Sequence, residues 1–230
     1  MIGVLASRYD ELARELVSQW EAQGAALLTC GDLSTAGWCH YVGSPGLSTA
    51  VIAGRRVAAG EITGVLTRMA FLAEQELVDI VPSDRAYAAS EMTAFLLSWL
   101  SNLTCPVLNP PTPTSLCGPY WRSEQWNSIA KTAGMRVHPA TRRVSLGAQP
   151  MPPVPPSLAM VTIVGTQCLG DADEKLVQQA KALARIAGVD FLSVQFSSPG
   201  PDAFFVRASV CPEAITPEVA EALFAHLVHL

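Results

Sequence analysis

Long apolar runs, basic clusters and closely spaced cysteines are all scarce in this sequence, and each scarcity removes a class of function. A bilayer-spanning helix needs about 20 consecutive apolar residues. The longest candidate, residues 92–100, is interrupted by Ser98 and followed at once by Ser101 and Asn102. The opening MIGVLASRYDELARE has no basic start and no apolar signal core, and charge arrives at Arg8 and Asp10. The expectation is a cytoplasmic protein with no membrane segment. Charged residues make up 15% of the chain, the net charge is −5, and no basic block exists to neutralise phosphates, which argues against a nucleic-acid partner. Six cysteines are scattered with no CxxC pair, a pattern of reduced thiols rather than of a disulfide framework or a structural zinc site.

What is present is apolar: half of the 230 residues are hydrophobic. That length allows one large or two small domains with a real core, and the apolar excess is explained by a tight core or by a protein–protein interface. Residues 1–6 read as a buried strand, and 9–22 place Leu12, Leu16, Val17 and Trp20 at helical spacing. Gly24 ends that helix and 25–30 form a second strand, a β-α-β start that argues for a parallel sheet. A hairpin is expected around Gly54-Arg55, a strand at 64–68, a helix at 84–102 capped by Ser83 or Asp84, and a strand at 106–109. A helix at 125–133 and a short strand at 135–137 follow. Further on come strands at 160–165, 191–196 and 203–209, a helix at 173–187 closed by Gly188, and a last helix opened by Thr216-Pro217-Glu218. Between them, GAQPMPPVPPS (147–157) is too rich in proline for helix or central strand. It is a connector between domains or a surface loop inside one.

The middle of the chain carries recognisable words. Ile-Thr-Gly-Val-Leu-Thr-Arg (62–68) is followed by Asp84-Arg85-x-Tyr87-x-x-Ser90-Glu91, Pro106-Val-Leu-Asn109, Gly118-Pro119, Gln125-Trp126 and Val137-His138-Pro139-Ala140-Thr141. This succession resembles the N-terminal region of RimK- and glutathione-synthetase-like ATP-grasp ligases. Ala187-Gly188-Val189-Asp190-Phe191, the strand 192–196 and the strand 204–212 resemble the last lobe of the same enzymes. The resemblance implies an α/β fold: a pre-ATP-grasp parallel-sheet domain with its linker helix (1–146), the connector (147–157), and a remnant of the ATP-grasp C-terminal lobe (158–230).

Two departures qualify it. The family's central lobe, whose lysines hold the ATP phosphates, has no counterpart, because Leu146 is followed almost at once by the proline connector. The metal-ligand positions are also changed: Gln195 stands for an Asp, Arg207 for a Glu and Ser209 for an Asn. Magnesium favours anionic oxygens, a guanidinium repels a divalent cation, and neither 192–198 nor 203–212 contains an Asp or Glu, so a slip in register restores nothing. Phosphoryl transfer depends on such clamps, and the reading leans against an enzyme, with no cofactor and no metal.

Cys39-His40 is a thiol beside an imidazole, but neighbours on an extended chain face opposite ways, and ordinary loop composition explains it. Cys117 is a structural or a functional thiol. His226 and His229 share a helix face without a third ligand motif, which favours a surface face over chelation. Arg85, Tyr87, Arg122, Trp126, His138 and Arg207 are the candidate substrate- or partner-binding residues. The expected function is a non-catalytic pseudo-ligase acting as a peptide-binding or accessory subunit, in peptide modification or natural-product biosynthesis, with a protein or peptide partner and as a homo- or hetero-oligomer. The alternative is an ATP-dependent carboxylate–amine ligase, or another enzyme, with an unorthodox site in the same cleft.

Overall fold

Four consecutive buried residues, Ile2–Leu5, form the first strand, β1, in a computed structural model that describes residues 1–138 and 158–228. The chain then crosses through α1 (Glu11–Gln19) and returns as β2 (Ala25–Leu28), parallel to β1. The Asp10 carboxylate starts α1 by accepting from the Ala13 N–H at 2.9 Å, Ala13 and Leu16 bury its apolar face, and Gly24, at φ 81°, follows the short 3₁₀ turn after it. A four-residue helix, α2 (Cys30–Leu33), comes next and leads to the hairpin β3 (Thr49–Ile52) and β4 (Arg55–Ala58). The hairpin turn is Ala53-Gly54, one residue earlier than the sequence suggests. Both residues have positive φ, 50° and 72°, as a two-residue turn that follows the strand twist requires. The Asp32 carboxylate holds the turn in place by accepting from the Gly54 N–H at 2.7 Å and the Thr29 N–H at 2.9 Å.

The strand β5 (Gly64–Thr67) lies parallel to β1, α3 runs over Arg85–Asn102, and β6 (Val107–Leu108) is the far edge of a sheet ordered β2-β1-β5-β6. Leu96, Trp99 and Leu100 of α3 join Leu5, Leu28, Ile52 and Val65 in one hydrophobic core. Neither Ser83 nor Asp84 caps α3 with its side chain. The Ser83 hydroxyl donates to Asp84 Oδ1 at 2.9 Å, and a 3₁₀ turn over Pro82–Asp84 runs straight into the helix.

A second compact unit spans Trp121–Pro212. It contains α4 (Ser123–Thr132), β7 (Arg136–Val137), β8 (Ala159–Val164), β9 (Gln167–Leu169), α5 (Glu174–Ala187), β10 (Phe191–Phe196) and β11 (Phe204–Ser209). The sheet order is β7-β11-β10-β8-β9, with β10 antiparallel to both neighbours. One face, with Val161, Ile163, Leu192, Val194 and Phe196, is buried, and α5 contributes Leu176, Ala180, Leu183 and Ala184 to the core. Asp173 caps α5 through the Lys175 N–H at 2.9 Å, and Gly188, at φ 66°, closes it.

The last helix, α6 (Pro217–Val228), belongs to the first unit, Met1–Tyr120 with Glu213–Leu230. The two units therefore divide the chain differently from the boundary expected at the connector: α4 and β7 group with the second unit and α6 with the first. The proline segment 147–157 lies outside the described residues. Among those residues, no helix is long and apolar enough to cross a membrane.

Candidate functional site

In the first unit, the chain turns one way from β1 to reach β2, while β5 and β6 lie on the other side. Open parallel sheets place ligands at the carboxyl end of the strands where the order reverses in this way. The residues there carry charge. After β1 come Ser7, Arg8 and Asp10, and after β5 comes Arg68. Arg68 Nε donates to Asp10 Oδ2 at 2.9 Å, with side chains 6% and 17% exposed. The buried Glu76 gathers three groups. Arg8 Nε lies 3.3 Å from its Oε2, the Ser7 hydroxyl donates to Oε1, and Cys30 Sγ donates to its carbonyl at 3.3 Å. The Glu76 hydrogen bond holds the Arg8 guanidinium above its ordinary pKa. Burial, then the Glu76 charge, pushes the Cys30 thiol up, so it is not poised as a nucleophile. These groups satisfy one another and brace the loops. Sequence reasoning missed them, although charged residues directly beyond two strand ends were a usable signal.

Beside this edge, α3 and the loops at 71–75 and 113–114 enclose a cleft of about 630 Å³. The helix contributes small side chains, among them Ala86, Ala89, Ser90 and Thr93. Thr93 Oγ1 accepts from the Leu72 N–H at 3.1 Å and donates to the Ala89 carbonyl at 2.7 Å, which ties the loop to the helix. Phe71, half exposed on the wall, meets Tyr120 edge-on at 5.9 Å. Arg85, read as a ligand contact, is occupied internally: it donates to the carbonyls of Ile80 at 2.8 Å and Val78 at 3.1 Å. Tyr87 is 71% exposed.

In the second unit, Gln195 and Arg207 are direct cross-strand partners, and Arg207 Nε donates to Gln195 Oε1 at 3.0 Å. Ser209 lies opposite Ser193, whose hydroxyl pairs with that of Thr162 at 2.8 Å. An amide, a guanidinium and hydroxyls are a poor donor set for magnesium, which favours carboxylates and water. Trp126, a candidate partner-binding residue, is not available at the surface. It is 6% exposed and meets Trp121 at 4.8 Å, because its position on α4 faces the core. Arg122 is exposed at the start of α4. His138 is exposed and stacks on Phe204 at 4.2 Å, with the Arg136 guanidinium 4.6 Å from the same ring.

His40 pairs with Ser98 Oγ at 2.9 Å, and Cys39 bonds the Tyr41 hydroxyl, raising the tyrosine's pKa. Thiol and imidazole thus have separate partners. Cys117 is buried and its thiol is pushed up by burial. His226 is half-buried, and His229 lies outside the described residues. Among the described residues no group of three or more His, Cys, Asp or Glu could hold a metal ion.

No family model matches the sequence, and no curated protein matches it. Solved structures do. The macrocyclase MdnC of Microcystis aeruginosa MRC, bound with precursor peptide MdnA, superposes with a TM-score of 0.70 at 13% identity, covering 100% of both chains. The macrocyclase MdnB of the same organism gives 0.69 at 14% identity over 99% of each chain. A Chryseobacterium gregarium RiPP-associated ATP-grasp ligase, in complex with ADP and a leader and core peptide, gives 0.64 at 10% identity over 98% of this chain and 96% of that one. At these identities the likeness is one of architecture: the chain has the fold of RiPP-associated ATP-grasp ligases.

Proposed function

We propose that this chain is a peptide-binding protein of the ATP-grasp fold that does not itself catalyse ligation, and that it serves as an accessory or scaffold subunit in peptide modification or natural-product assembly. The observation that carries the reading is the pair Gln195–Arg207, in register on adjacent strands and 3.0 Å apart. A hydrogen-bonded guanidinium and amide stand where the resemblance calls for carboxylates, and neither strand contains an acidic residue. Bringing Mg·ATP there would set a fixed cation against a divalent one. In this reading the central, lysine-bearing lobe is absent as well, since the residues between Val137 and Ala159 are too few to build it.

The peptide part is supported by the fold, which is shared with chains solved with precursor and leader peptides. The cleft beside α3, with small residues on its floor and Phe71 on its wall, has the size and mixed lining of a side-chain-accepting groove. An oligomeric or partner-bound state agrees with the apolar composition and with Phe71, Tyr87 and Tyr120 standing exposed.

The test uses peptides encoded beside this chain's gene, titrated by fluorescence anisotropy in EDTA. Saturable binding that Mg·ATP leaves unchanged, with no phosphate released, is the expected result. Phosphate release on peptide addition would mark a working ligase instead.

A further inference from the structure

The register between β10 and β11 decides which way Arg207 points. Gln195 pairs with Arg207, but the next residue, Phe196, pairs with Phe205, so Val206 is an extra residue in β11. A bulge of this kind re-aims the side chains on either side of it. Phe205 is buried, whereas Arg207 is exposed on the face that carries Gln195, Ser193 and Ser209. There Gln195 holds Nε, which orients the guanidinium and leaves its two terminal nitrogens without a protein partner among the described residues. No ion pair engages Arg207 among those residues. On a chain of net charge −5, this face presents a guanidinium and an amide beside the half-buried Ser209, with no acidic residue on either strand. A planar fork with two free nitrogens matches the two oxygens of an oxyanion.

We propose that Arg207, oriented by Gln195, forms a metal-independent oxyanion subsite that takes a carboxylate of a bound peptide. The source of that carboxylate rests on the peptide-binding reading, while the subsite itself is testable without it. A phosphate offers similar chemistry, so both anions enter the experiment.

The ¹⁵N-labelled full chain is titrated in EDTA with glutarate and, separately, with inorganic phosphate, following the Arg207 Nε–Hε and Gln195 side-chain amide resonances. Saturable shifts at both are expected, with glutarate the tighter ligand and no change on adding magnesium. Arg207→Gln should weaken glutarate binding, read at Gln195, about tenfold or more. Arg207→Lys, which keeps the charge and loses the fork, should weaken it less. Tighter binding of phosphate overturns the carboxylate assignment. Shifts that do not saturate, that require magnesium, or that persist unchanged in Arg207→Gln overturn the subsite. An aspartate-containing peptide and its asparagine counterpart separate this inference from the reading beneath it. Equal binding of the two sinks the subsite and spares peptide binding, whereas no binding of either, with glutarate still titrating, does the reverse.

Discussion

The carbonyl oxygen of Leu227 lies 2.6 Å from the point where a β-carbon on Gly64 would stand, and the Leu227 β-carbon lies at 2.8 Å. Gly64 opens β5, and Leu227 is a buried residue of α6, so the last helix seats directly on the parallel sheet at a residue that offers no side chain. Gly64→Ala must push the helix backbone away, and backbone does not yield as a flexible side chain would. The expected cost is about 1–3 kcal/mol, read as a lowered midpoint in urea or thermal unfolding. An unchanged midpoint would mean that α6 does not dock there.

Asp10 has two tasks, capping α1 through the Ala13 N–H and pairing with the buried Arg68 guanidinium. Asp10→Ala removes both and is expected to destabilise by about 3 kcal/mol or more. Asp10→Asn keeps an oxygen for the cap and loses only the charge, so about 1–2 kcal/mol is expected. Equal losses in the two variants, measured by denaturant unfolding, would contradict this division of labour.

Burial pushes the thiols of Cys30, Cys105 and Cys117 above the ordinary cysteine range. Alkylation requires the thiolate, so at pH 8 these three should react with iodoacetamide more slowly in the folded chain than after denaturation, as peptide mapping would show. The linkage has a definite sign. A raised folded pKa means that the protonated thiol is favoured in the fold. This stabilisation is complete below the unfolded thiol pKa and is lost as pH rises through the folded one. Stability should therefore fall on the alkaline side, and fast labelling of Cys30 or Cys117 at pH 8 would show that their environment is open.

Local patterns were legible in the sequence, and long-range partnerships were not. The β10 strand is legible to the residue because four of the six residues of Phe191–Phe196 are apolar and the run is bounded by Asp190 and Ser197. The α5 helix was legible from its closing glycine, Gly188. The hairpin turn was displaced by one residue because Ala53 takes a left-handed conformation that its side chain gives no reason to expect. The three-residue strand β9 was missed because Gln167–Leu169 is too short to show alternation. Trp126, a partner-binding candidate whose sequence context fits interface and core equally, is turned inward onto Trp121 by the helical period. Glu76 gathers Ser7, Arg8 and Cys30 from positions distant in sequence, and no spacing rule brings such residues together. At the candidate site itself, the absence of acidic residues from the strands that carry Gln195 and Arg207 was visible in the sequence. Their direct pairing was not, since it depends on the bulge at Val206.

The reading of β10 and β11 as strands that cannot receive a nucleotide with its cations is directly testable. Isothermal titration of the full chain with ATP, in the presence and absence of magnesium, tests this most directly. No measurable heat of binding under either condition is predicted, because Arg207 opposes the metal and no carboxylate on β10 or β11 replaces it. Micromolar binding that appears only with magnesium would contradict the account.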